Sequence, residues 1–333
     1  MNNLATIQRI KNIRPIPGAD AIEVGDVLGW SVVIKKNEYK DGDMVVFHQP
    51  DTIVDANNPH YSFLKDKRLR TIKLRGQVSQ GLVLPIDVFD WKSAGFTDGV
   101  REGDDVTSAV RIEKYEKLIP AELAGKAKGA LPSFLRKTDE LNLRSYPDAI
   151  NDFNGRNAYI STKLDGTSVS FYVKDGELGV CSRNLDLLET DGNAIWKAAR
   201  DLNMYEKLKI CDNVCLQGEL VGVGIQGNRL GLKSVEFRAY NMWDIITRKY
   251  CDFPVLERFC SDNCIPTVPI IWGGNCQFTL VDLIEKANSL DYGPSFPAEG
   301  LVLRSCQESY SPILGGRLSA KVVSERYLLK YKE

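Results

Sequence analysis

The stretch Ala158-Tyr159-Ile160-Ser161-Thr162-Lys163-Leu164-Asp165-Gly166 runs directly into Thr167-Ser168-Val169-Ser170-Phe171-Tyr172-Val173. Apolar and β-branched residues on both sides predict strands at 158–162 and 168–173, and the second continues through Lys174-Asp175-Gly176 into a partner strand at 178–182. The tetrapeptide Lys163–Gly166 therefore lies where a strand ends and a hairpin begins. Its lysine is expected to emerge beside a sheet, with the glycine permitting a tight turn. Alone this signal is weak, because an ordinary surface lysine at a turn has the same sequence.

Three further charged residues interrupt apolar segments downstream. Glu219 and Lys321 each lie inside an apolar strand, and Glu299 directly precedes one. A charge in such a place is unfavourable unless it is paired or faces a ligand. A salt bridge explains any one of them, but the three together with Lys163 indicate a shared site.

The pattern of predicted elements changes along the chain. Residues 1–110 contain short β segments separated by turn residues, which predicts a small barrel or sandwich, with an oligonucleotide-binding (OB-like) barrel as one candidate. The β segments are 23–27, 31–35, 44–48 and 81–85. After residue 157 the pattern is α+β with antiparallel sheets, with further strands at 214–221, 238–245, 300–304 and 318–323 and helices at 193–208 and 279–290. The join is expected near 112–125.

Bulk composition narrows the class of protein. The 333 residues are 43% hydrophobic and 26% charged, which is typical of a globular protein of about two domains. A net charge of −1 argues against a general nucleic-acid coat protein, and two histidines make histidine-centred catalysis a poor candidate. We expect a soluble, intracellular monomer without a signal peptide or membrane span. The eight cysteines are expected to be reduced thiols, with a zinc site at Cys211, Cys215, Cys260 and Cys264 as the alternative.

The ordered set of segments resembles motifs I, Ia, III, IIIa, IV and V of the covalent nucleotidyltransferases, which comprise ATP-dependent ligases and mRNA capping enzymes. The segments are 163–166, 182–184, 216–220, 240–245, 298–302 and 318–323. Within that superfamily, Ala298-Glu299-Gly300-Leu301-Val302-Leu303-Arg304 resembles the phage nick-sealing RNA ligases. Residues 4–86 are similar to the N-terminal OB-like module of RNA ligases of the Naegleria and Deinococcus type.

The resemblance implies a fold and a domain division. It predicts an α+β, antiparallel-sheet nucleotidyltransferase domain, related to ATP-grasp ligases, at 113–333. A small OB-like β-barrel at 1–112 precedes it. Only twelve residues follow Lys321, so we expect no OB domain after motif V. This favours an RNA ligase over a DNA ligase or a capping enzyme.

The resemblance also implies a reaction and roles for individual residues. Lys163 would attack the α-phosphorus of ATP and carry AMP, which then passes to a 5′-phosphate before a 3′-hydroxyl seals the strand, as in nick repair. Asp165 and Glu299 would hold Mg²⁺ or Mn²⁺ through waters. Glu219 would accept a hydrogen bond from a ribose hydroxyl, and Arg183 would contact the ribose or a phosphate.

Three other nucleotide contacts follow from the same resemblance. An aromatic residue of the 240–243 segment would stack on adenine, for which we favour Trp243 and keep Tyr240 as second choice. A core position is the alternative for Trp243. Arg144 matches a segment that often supplies a phosphate-binding arginine. Lys321, in motif V, would counter phosphate charge during catalysis.

One position departs from the family pattern. Phage-type ligases have Lys-x-Lys in motif V, whereas Val323 occupies the second lysine position here. The missing cation is expected to come from another residue, with Arg317 and Lys330 as candidates.

A basic run in the N-terminal part is a candidate RNA-binding surface. Six basic residues and one acid lie between Lys65 and Arg75, and we single out Arg68, Arg70 and Lys73. A solvated strand face with ion pairs is the alternative interpretation.

Other functions use the same motifs. A capping guanylyltransferase would form the lysine adduct with GTP, and a DNA ligase would seal DNA ends. A non-catalytic RNA-binding protein on a decayed ligase scaffold would form no adduct with either nucleotide.

Overall fold

Short antiparallel strands make up the N-terminal part of the chain. The computed structural model describes residues 3–55, 57–115, 126–293 and 296–331. The strands predicted at 23–27, 31–35, 44–48 and 81–85 are confirmed to within a residue at either end. One sheet has the strand order Ala5–Arg9, Met44–His48, Leu82–Pro85, and a second has the order Lys11–Pro15, Ile22–Val27, Trp30–Lys35. Two further pairs join Thr52–Ile53 to Glu113–Lys114 and Ile72–Leu74 to Gln77–Ser79.

Two compact units divide the chain. The first comprises Met1–Lys117, Arg144–Pro147 and Glu325–Glu333, and the second comprises Leu118–Leu143 and Asp148–Ser324. The helix Glu325–Tyr331 thus belongs to the first unit, although it follows the last strand of the second. The boundary at 112/113 stays a prediction, because residues 116–125 lie outside the described part.

Side-chain alternation along the strands fills the first unit from both faces of a sheet. On Met44–His48, Val46 packs into one apolar cluster with Ile7 and Leu84, whereas Val45 and Phe47 pack into another. This is the period of two that a strand imposes, since successive side chains point to opposite faces. The result is a mainly β unit with a core on each side of one sheet.

Two sheets form the frame of the second unit. The larger has the strand order Ala127–Ala130, Leu185–Leu187, Glu177–Ser182, Thr167–Lys174, Val214–Val221, Glu236–Asp244, Lys249–Tyr250. The smaller has the order Leu141–Asn142, Ser319–Val323, Gly300–Ser305, Asn157–Lys163, Ile270–Asn275. All neighbours are antiparallel except Leu141–Asn142 with Ser319–Val323. Short pairs join Asp291–Gly293 to Phe296–Pro297 and Tyr310–Ser311 to Gly316–Arg317.

Helices of the second unit pack against its sheets, and one predicted helix needs correction. The continuous helix expected at 193–208 is wrong, because Asn203 adopts a left-handed conformation (φ 52°) that interrupts it. The helix predicted at 279–290 is confirmed, and it begins with a capping box of Thr279 and Asp282. Within the described ranges, the α-helices are Ile150–Phe153, Ala194–Asp201, Met204–Leu208, Phe253–Asp262, Leu280–Ser289 and Glu325–Tyr331. Short 3₁₀ turns occur at Pro59–Tyr61, Ile86–Val88, Leu143–Ser145, Pro147–Ala149, Lys209–Cys211 and Gln226–Asn228. Among the described residues, no helix is both long and apolar enough for a membrane crossing.

Candidate active site

Lys163 ends the strand Asn157–Lys163, where its amine meets a carboxylate from the neighbouring strand. It lies opposite Gly300 in the antiparallel register. That register places Glu299 beside it, although 136 residues separate the two, and the Lys163 Nζ donates to the Glu299 Oε1 at 2.5 Å. The side chains are 24% and 19% exposed, so the pair is partly shielded yet reachable from solvent.

Tyr292 holds the backbone on both sides of this pair. Its hydroxyl donates to the Lys163 carbonyl at 2.5 Å and accepts from the Glu299 amide at 3.1 Å. One side chain therefore fixes the main chain of the lysine and of its partner. This contact was not predicted from the sequence, since Tyr292 lies outside every motif.

A second carboxylate reaches the same place from the larger sheet. Glu219 lies on Val214–Val221, opposite Ser168. Burial raises the pKa of Glu219 to about 8; the charge of Lys163 acts against this, and those of Glu299 and Asp165 add to it. Burial thus favours the protonated form of this carboxyl group at neutral pH.

The charge on Lys163 is the reverse of what a nucleophilic amine needs. Burial acts to lower the pKa of the Lys163 amine, but the carboxylates of Glu299, Glu219 and Asp165 outweigh burial and raise the pKa above its ordinary value. In this state the amine is protonated. The amine can attack an electrophile only after it loses its proton. Positive charge placed near these carboxylates would favour that loss, because it would offset their effect on the pKa of the amine.

The sequence suggested that Gly166 permits a tight turn. The structure shows instead that a larger residue at this position would not fit. The φ of Gly166 is not in the left-handed region. A Cβ at this position would lie 2.3 Å from the Leu220 carbonyl oxygen and 2.8 Å from both the Glu219 Cγ and the Val221 Cγ1. The absence of a side chain lets the Lys163–Gly166 turn lie directly against the strand that carries Glu219.

Asp165 is paired with an arginine that the sequence did not single out. The Arg229 Nη1 donates to the Asp165 Oδ2 at 2.5 Å, and the two side chains are only 16% and 9% exposed. Arg229 lies in the glycine-rich segment that follows the strand of Glu219. A short glycine-rich loop after a strand with a buried carboxylate is the signal that could have found it.

Strand register places the motif V lysine on the same sheet face as Lys163. One row across the three strands is Lys163, Gly300, Val323, and the row two residues further along is Ser161, Val302, Lys321. Rows two residues apart share a face. Val323 therefore lies in the row of the nucleophile candidate, and Lys321 lies two residues away on the same face.

Arg183 and Tyr240 both interact with the Glu219 region. Arg183 is half exposed and pairs with Asp139, and its charge acts on Glu219. The Tyr240 hydroxyl hydrogen bonds to Ser168, the residue opposite Glu219, at 2.8 Å.

The preference for Trp243 as the adenine-stacking residue is corrected by its packing. Trp243 is 8% exposed, its indole N–H donates to the Phe134 carbonyl at 3.0 Å, and its ring packs edge-on against Tyr250. Its face is already covered by protein, as the core alternative proposed. The pairing of Val214–Val221 with Glu236–Asp244 has a one-residue bulge at Tyr240. Tyr240 therefore becomes the better candidate for stacking on adenine.

Arg144 has partners within its own unit. It belongs to the first unit, where it is 3% exposed, pairs with Glu325 at 2.8 Å and donates to Gln80 at 2.9 Å. These contacts bury the guanidinium against a carboxylate. A phosphate contact by Arg144 stays a prediction.

The two candidates for the missing motif V cation lie on different elements. Arg317 pairs with Glu308, donates to Asn241 at 2.7 Å and lies 4.1 Å from the Tyr250 ring centre. Lys330 is on the C-terminal helix of the first unit. Arg317 is thus held by partners of its own, and the role of either residue as the missing cation stays a prediction.

The three basic residues singled out in the first unit differ in their contacts. Arg68 pairs with Asp51 at 2.7 Å and stacks over Tyr115, with 11% of its side chain exposed. Arg70 pairs with Asp66 at 3.4 Å, and Lys73 lies on the exposed strand Ile72–Leu74. The alternative of a strand face with ion pairs thus accounts for Arg68, whereas Arg70 and Lys73 present charge to solvent.

The acidic residues around Lys163 suit a cation that keeps its waters. Three carboxylates, from Asp165, Glu219 and Glu299, interact electrostatically with the Lys163 amine. In the described part of the chain, no three His, Cys, Asp or Glu side chains are close enough to ligate one metal directly. Magnesium usually retains several waters, so water-bridged binding fits this donor set. The same finding gives no support to zinc binding by the cysteines, all eight of which are free.

Comparisons with known proteins agree over the whole chain. A family model described as RNA ligase matches residues 156–331, and one described as an OB-fold domain matches residues 4–86. No curated protein sequence matches significantly. The Naegleria gruberi RNA ligase with PPi is 35% identical with a TM-score of 0.87, covering 100% of this chain and 99% of that one.

Two variants of the same Naegleria gruberi enzyme are similarly close. A lysine-to-alanine variant with ATP and Mn is 35% identical with a TM-score of 0.86, and a lysine-to-methionine variant with AMP and Mn is 34% identical with a TM-score of 0.88. Each covers 99% of both chains. The predicted fold class, an OB-fold domain followed by a ligase domain of helices and antiparallel sheets, is confirmed. The chain belongs to the RNA ligase family.

Proposed function

We propose that this protein is an ATP-dependent RNA ligase that repairs nicks by joining a 3′-hydroxyl to a 5′-phosphate. The observation that carries the proposal is the Lys163–Glu299 pair at 2.5 Å, set against Glu219 and Asp165 in a chain that belongs to a ligase family. The bound ATP, AMP and Mn of the Naegleria gruberi structures support the choice of nucleotide and metal.

Three transfers make up the proposed reaction. The Lys163 nitrogen bonds to the α-phosphorus of ATP, pyrophosphate leaves, and the amine loses its proton. A 5′-phosphate oxygen of the RNA then bonds to the same phosphorus, and the Lys163 nitrogen leaves. Finally a 3′-hydroxyl oxygen attacks the activated 5′-phosphate, AMP leaves, and the strand is closed.

Side chains around Lys163 have separable roles in this scheme. Glu299 holds the amine in place before reaction, and Asp165 and Glu299 would hold a water-bridged Mg²⁺ or Mn²⁺. The ion would neutralise carboxylate charge, lowering the pKa of the amine, and would counter phosphate charge. Glu219 is proposed to bind a ribose hydroxyl, and Tyr240 to stack on adenine.

Remaining groups are proposed to bind phosphate. Lys321 and Arg183 would contact phosphate oxygens of the nucleotide. In the first unit, the exposed charges of Arg70 and Lys73 would bind the RNA backbone, since phosphate contacts are how basic patches bind polynucleotides.

The deciding experiment is adduct formation with α-labelled ATP or GTP, followed by mass spectrometry. We expect AMP on Lys163 from ATP, no adduct from GTP, and no adduct in Lys163→Ala. The matched control is Lys174→Ala, which removes a lysine at the far end of the adjoining strand. A GMP adduct would indicate a capping enzyme, and no adduct with either nucleotide would indicate a non-catalytic RNA-binding protein.

Sealing of matched nicks with RNA or DNA at each end then tests the substrate. We expect sealing when the 3′-hydroxyl strand is RNA. Neutralising Arg70 and Lys73 should weaken nick binding and flatten its salt dependence by about one unit of slope per lost contact. Lys36→Ala, at another exposed position of the first unit, is the control. Equal sealing of all-DNA nicks would indicate a DNA ligase.

A further inference from the structure

The Tyr240 side chain reaches across the strand that carries Glu219. Its hydroxyl hydrogen bonds to the Ser168 hydroxyl at 2.8 Å. Tyr240 and Ser168 lie on the two strands that flank Val214–Val221, one on either side. Neighbouring strands are about 4.8 Å apart, so a side chain that joins the two flanking strands spans the full width of the strand between them. The ring therefore lies over the part of the sheet where Glu219 is found.

A bulge accounts for the direction of this side chain. The register pairs Gln217 with Asn241 and Gly218 with Ala239, so Tyr240 is the extra residue of its strand. An extra residue interrupts the alternation of side chains and can re-aim one of them. Without the bulge, the period of two would not allow Tyr240 and Asn241 to face the same side of the sheet.

The redirected side chain is restrained by groups from both sheets of the second unit. Burial, and then the charge of Glu219, raise the pKa of the Tyr240 hydroxyl, so it stays protonated. Thr138 hydrogen bonds to Ser168 at 2.8 Å and extends the row of hydroxyls. From the smaller sheet, the Arg304 guanidinium lies 5.6 Å from the centre of the Tyr240 ring, within the range of a cation–π contact. Tyr240 is nevertheless only partly buried, so part of it is accessible to a ligand.

We infer that Ser168 is a positioning residue for the nucleotide base: its hydroxyl, supported by Thr138, holds the Tyr240 ring where adenine stacks. The inference rests on the proposed function, in which Tyr240 stacks on adenine and Glu219 binds the ribose. Stacked rings interact well only at a suitable offset and separation. A ring that is fixed before the nucleotide arrives also loses less side-chain freedom on binding, which strengthens the complex. Ser168 lies outside the segments that carry the family resemblance.

The experiment measures binding of AMP and of pyrophosphate by calorimetry, with Lys163→Ala as the background so that no adduct forms. Ser168→Ala and Tyr240→Phe each remove the hydrogen bond and keep the ring, so each should raise the AMP dissociation constant about fivefold to tenfold. The pyrophosphate dissociation constant should stay within about twofold, because pyrophosphate has no base.

Ser170→Ala is the matched control. Ser170 lies two residues along the same strand and on the same face, where its hydroxyl accepts from Gln217 at 3.4 Å. That variant should bind AMP within about twofold of the background. An equal loss of AMP affinity in Ser170→Ala and Ser168→Ala would overturn the inference, since it would show a general effect of removing a hydroxyl from this strand.

The double variant separates positioning from direct contact with the nucleotide. If Ser168 acts through the Tyr240 hydroxyl, Ser168→Ala should cause no further loss of AMP affinity in a Tyr240→Phe protein. A full additional loss would assign Ser168 a direct contact and overturn the inference. Unchanged AMP affinity in both single variants would overturn it as well. So would an equal weakening of pyrophosphate binding, because a displaced ring affects only ligands that carry a base.

Tyr240→Ala and the wild type show whether the proposed function itself has failed. Removing the ring should raise the AMP dissociation constant about tenfold or more. If Tyr240→Ala binds AMP as the background does, the stacking role of Tyr240 is wrong and the inference falls with it. If Tyr240→Ala weakens AMP binding but Ser168→Ala and Tyr240→Phe do not, stacking stands and the role of Ser168 is refuted. A wild type that forms no AMP adduct would overturn the proposed function.

Discussion

Gly166→Ala tests how closely the Lys163 turn must lie against the strand of Glu219. The added Cβ would lie 2.3 Å from the Leu220 carbonyl oxygen, whereas ordinary contacts begin near 3.4 Å. The turn and the strand must therefore separate by about 1 Å, because the nearest atom belongs to the backbone. Overpacking a core by one methyl group destabilises a protein by about 1–3 kcal/mol. We expect the melting temperature to fall by about 2–10 °C in a unit of this size.

The effect on catalysis should exceed the effect on stability. A misplacement of about 1 Å between reacting groups lowers rates by about 10²-fold. We therefore expect the rate of AMP attachment to fall about 100-fold at a temperature well below the melting transition and at saturating ATP. The assay is single-turnover adduct formation, read alongside thermal unfolding of the same preparation.

Gly273→Ala is the matched control. Gly273 lies on Ile270–Asn275 of the smaller sheet, and an ideal Cβ there meets no atom within 4 Å. That variant should keep both the rate and the melting temperature. If Gly166→Ala melts lower but attaches AMP at the wild-type rate, the reasoning from close approach to catalysis is refuted. If neither property changes, the close approach itself is refuted.

Three other predictions concern individual side chains. Tyr292→Phe should lower the rate of AMP attachment about tenfold, because it removes the hydroxyl that fixes the Lys163 carbonyl; an unchanged single-turnover rate would contradict this. Glu140→Ala should lower the free energy of unfolding by about 3–5 kcal/mol in urea, because it leaves the guanidinium of Arg304 buried without its ion-pair partner, and a loss below 1 kcal/mol would refute the expectation. Burial lowers the pKa of His48 from 6.5 to about 4, so the unfolded chain protonates first as the pH falls. Unfolding free energy should drop by about 3 kcal/mol between pH 6.5 and pH 4, and His48→Gln should flatten that slope.

Local patterns were sufficient for much of the framework. Strands at 44–48 and 214–221 could be predicted because apolar and β-branched residues in short runs carry their own signal. The ordered motifs around Lys163 identified the family, since a charge in an apolar strand is unfavourable without a partner or ligand. The prediction of one helix at 193–208 was wrong because Asn203 interrupts it. The spacing of hydrophobic residues does not indicate the left-handed conformation of Asn203.

Pairings between distant segments were decided only by the tertiary structure. Lys163 meets Glu299 across 136 residues because two strands share a register, and no property of either segment alone fixes that register. A one-residue bulge at Tyr240 decides which aromatic side chain lies near Glu219, and sequence spacing does not reveal a bulge.

The ion-pair partners of two arginines also depended on the tertiary structure. Arg144 and Arg229 are both cations in the sequence, but one is buried against Glu325 in the first unit and the other against Asp165 beside Lys163. Motif resemblance favoured the first and overlooked the second. The sequence by itself determined the family, the positions of many strands along the chain and the residue types that the chemistry needs. Which carboxylate each cation meets depended on the folded chain, because ion pairs form between surfaces that only the packed sheets and loops bring together.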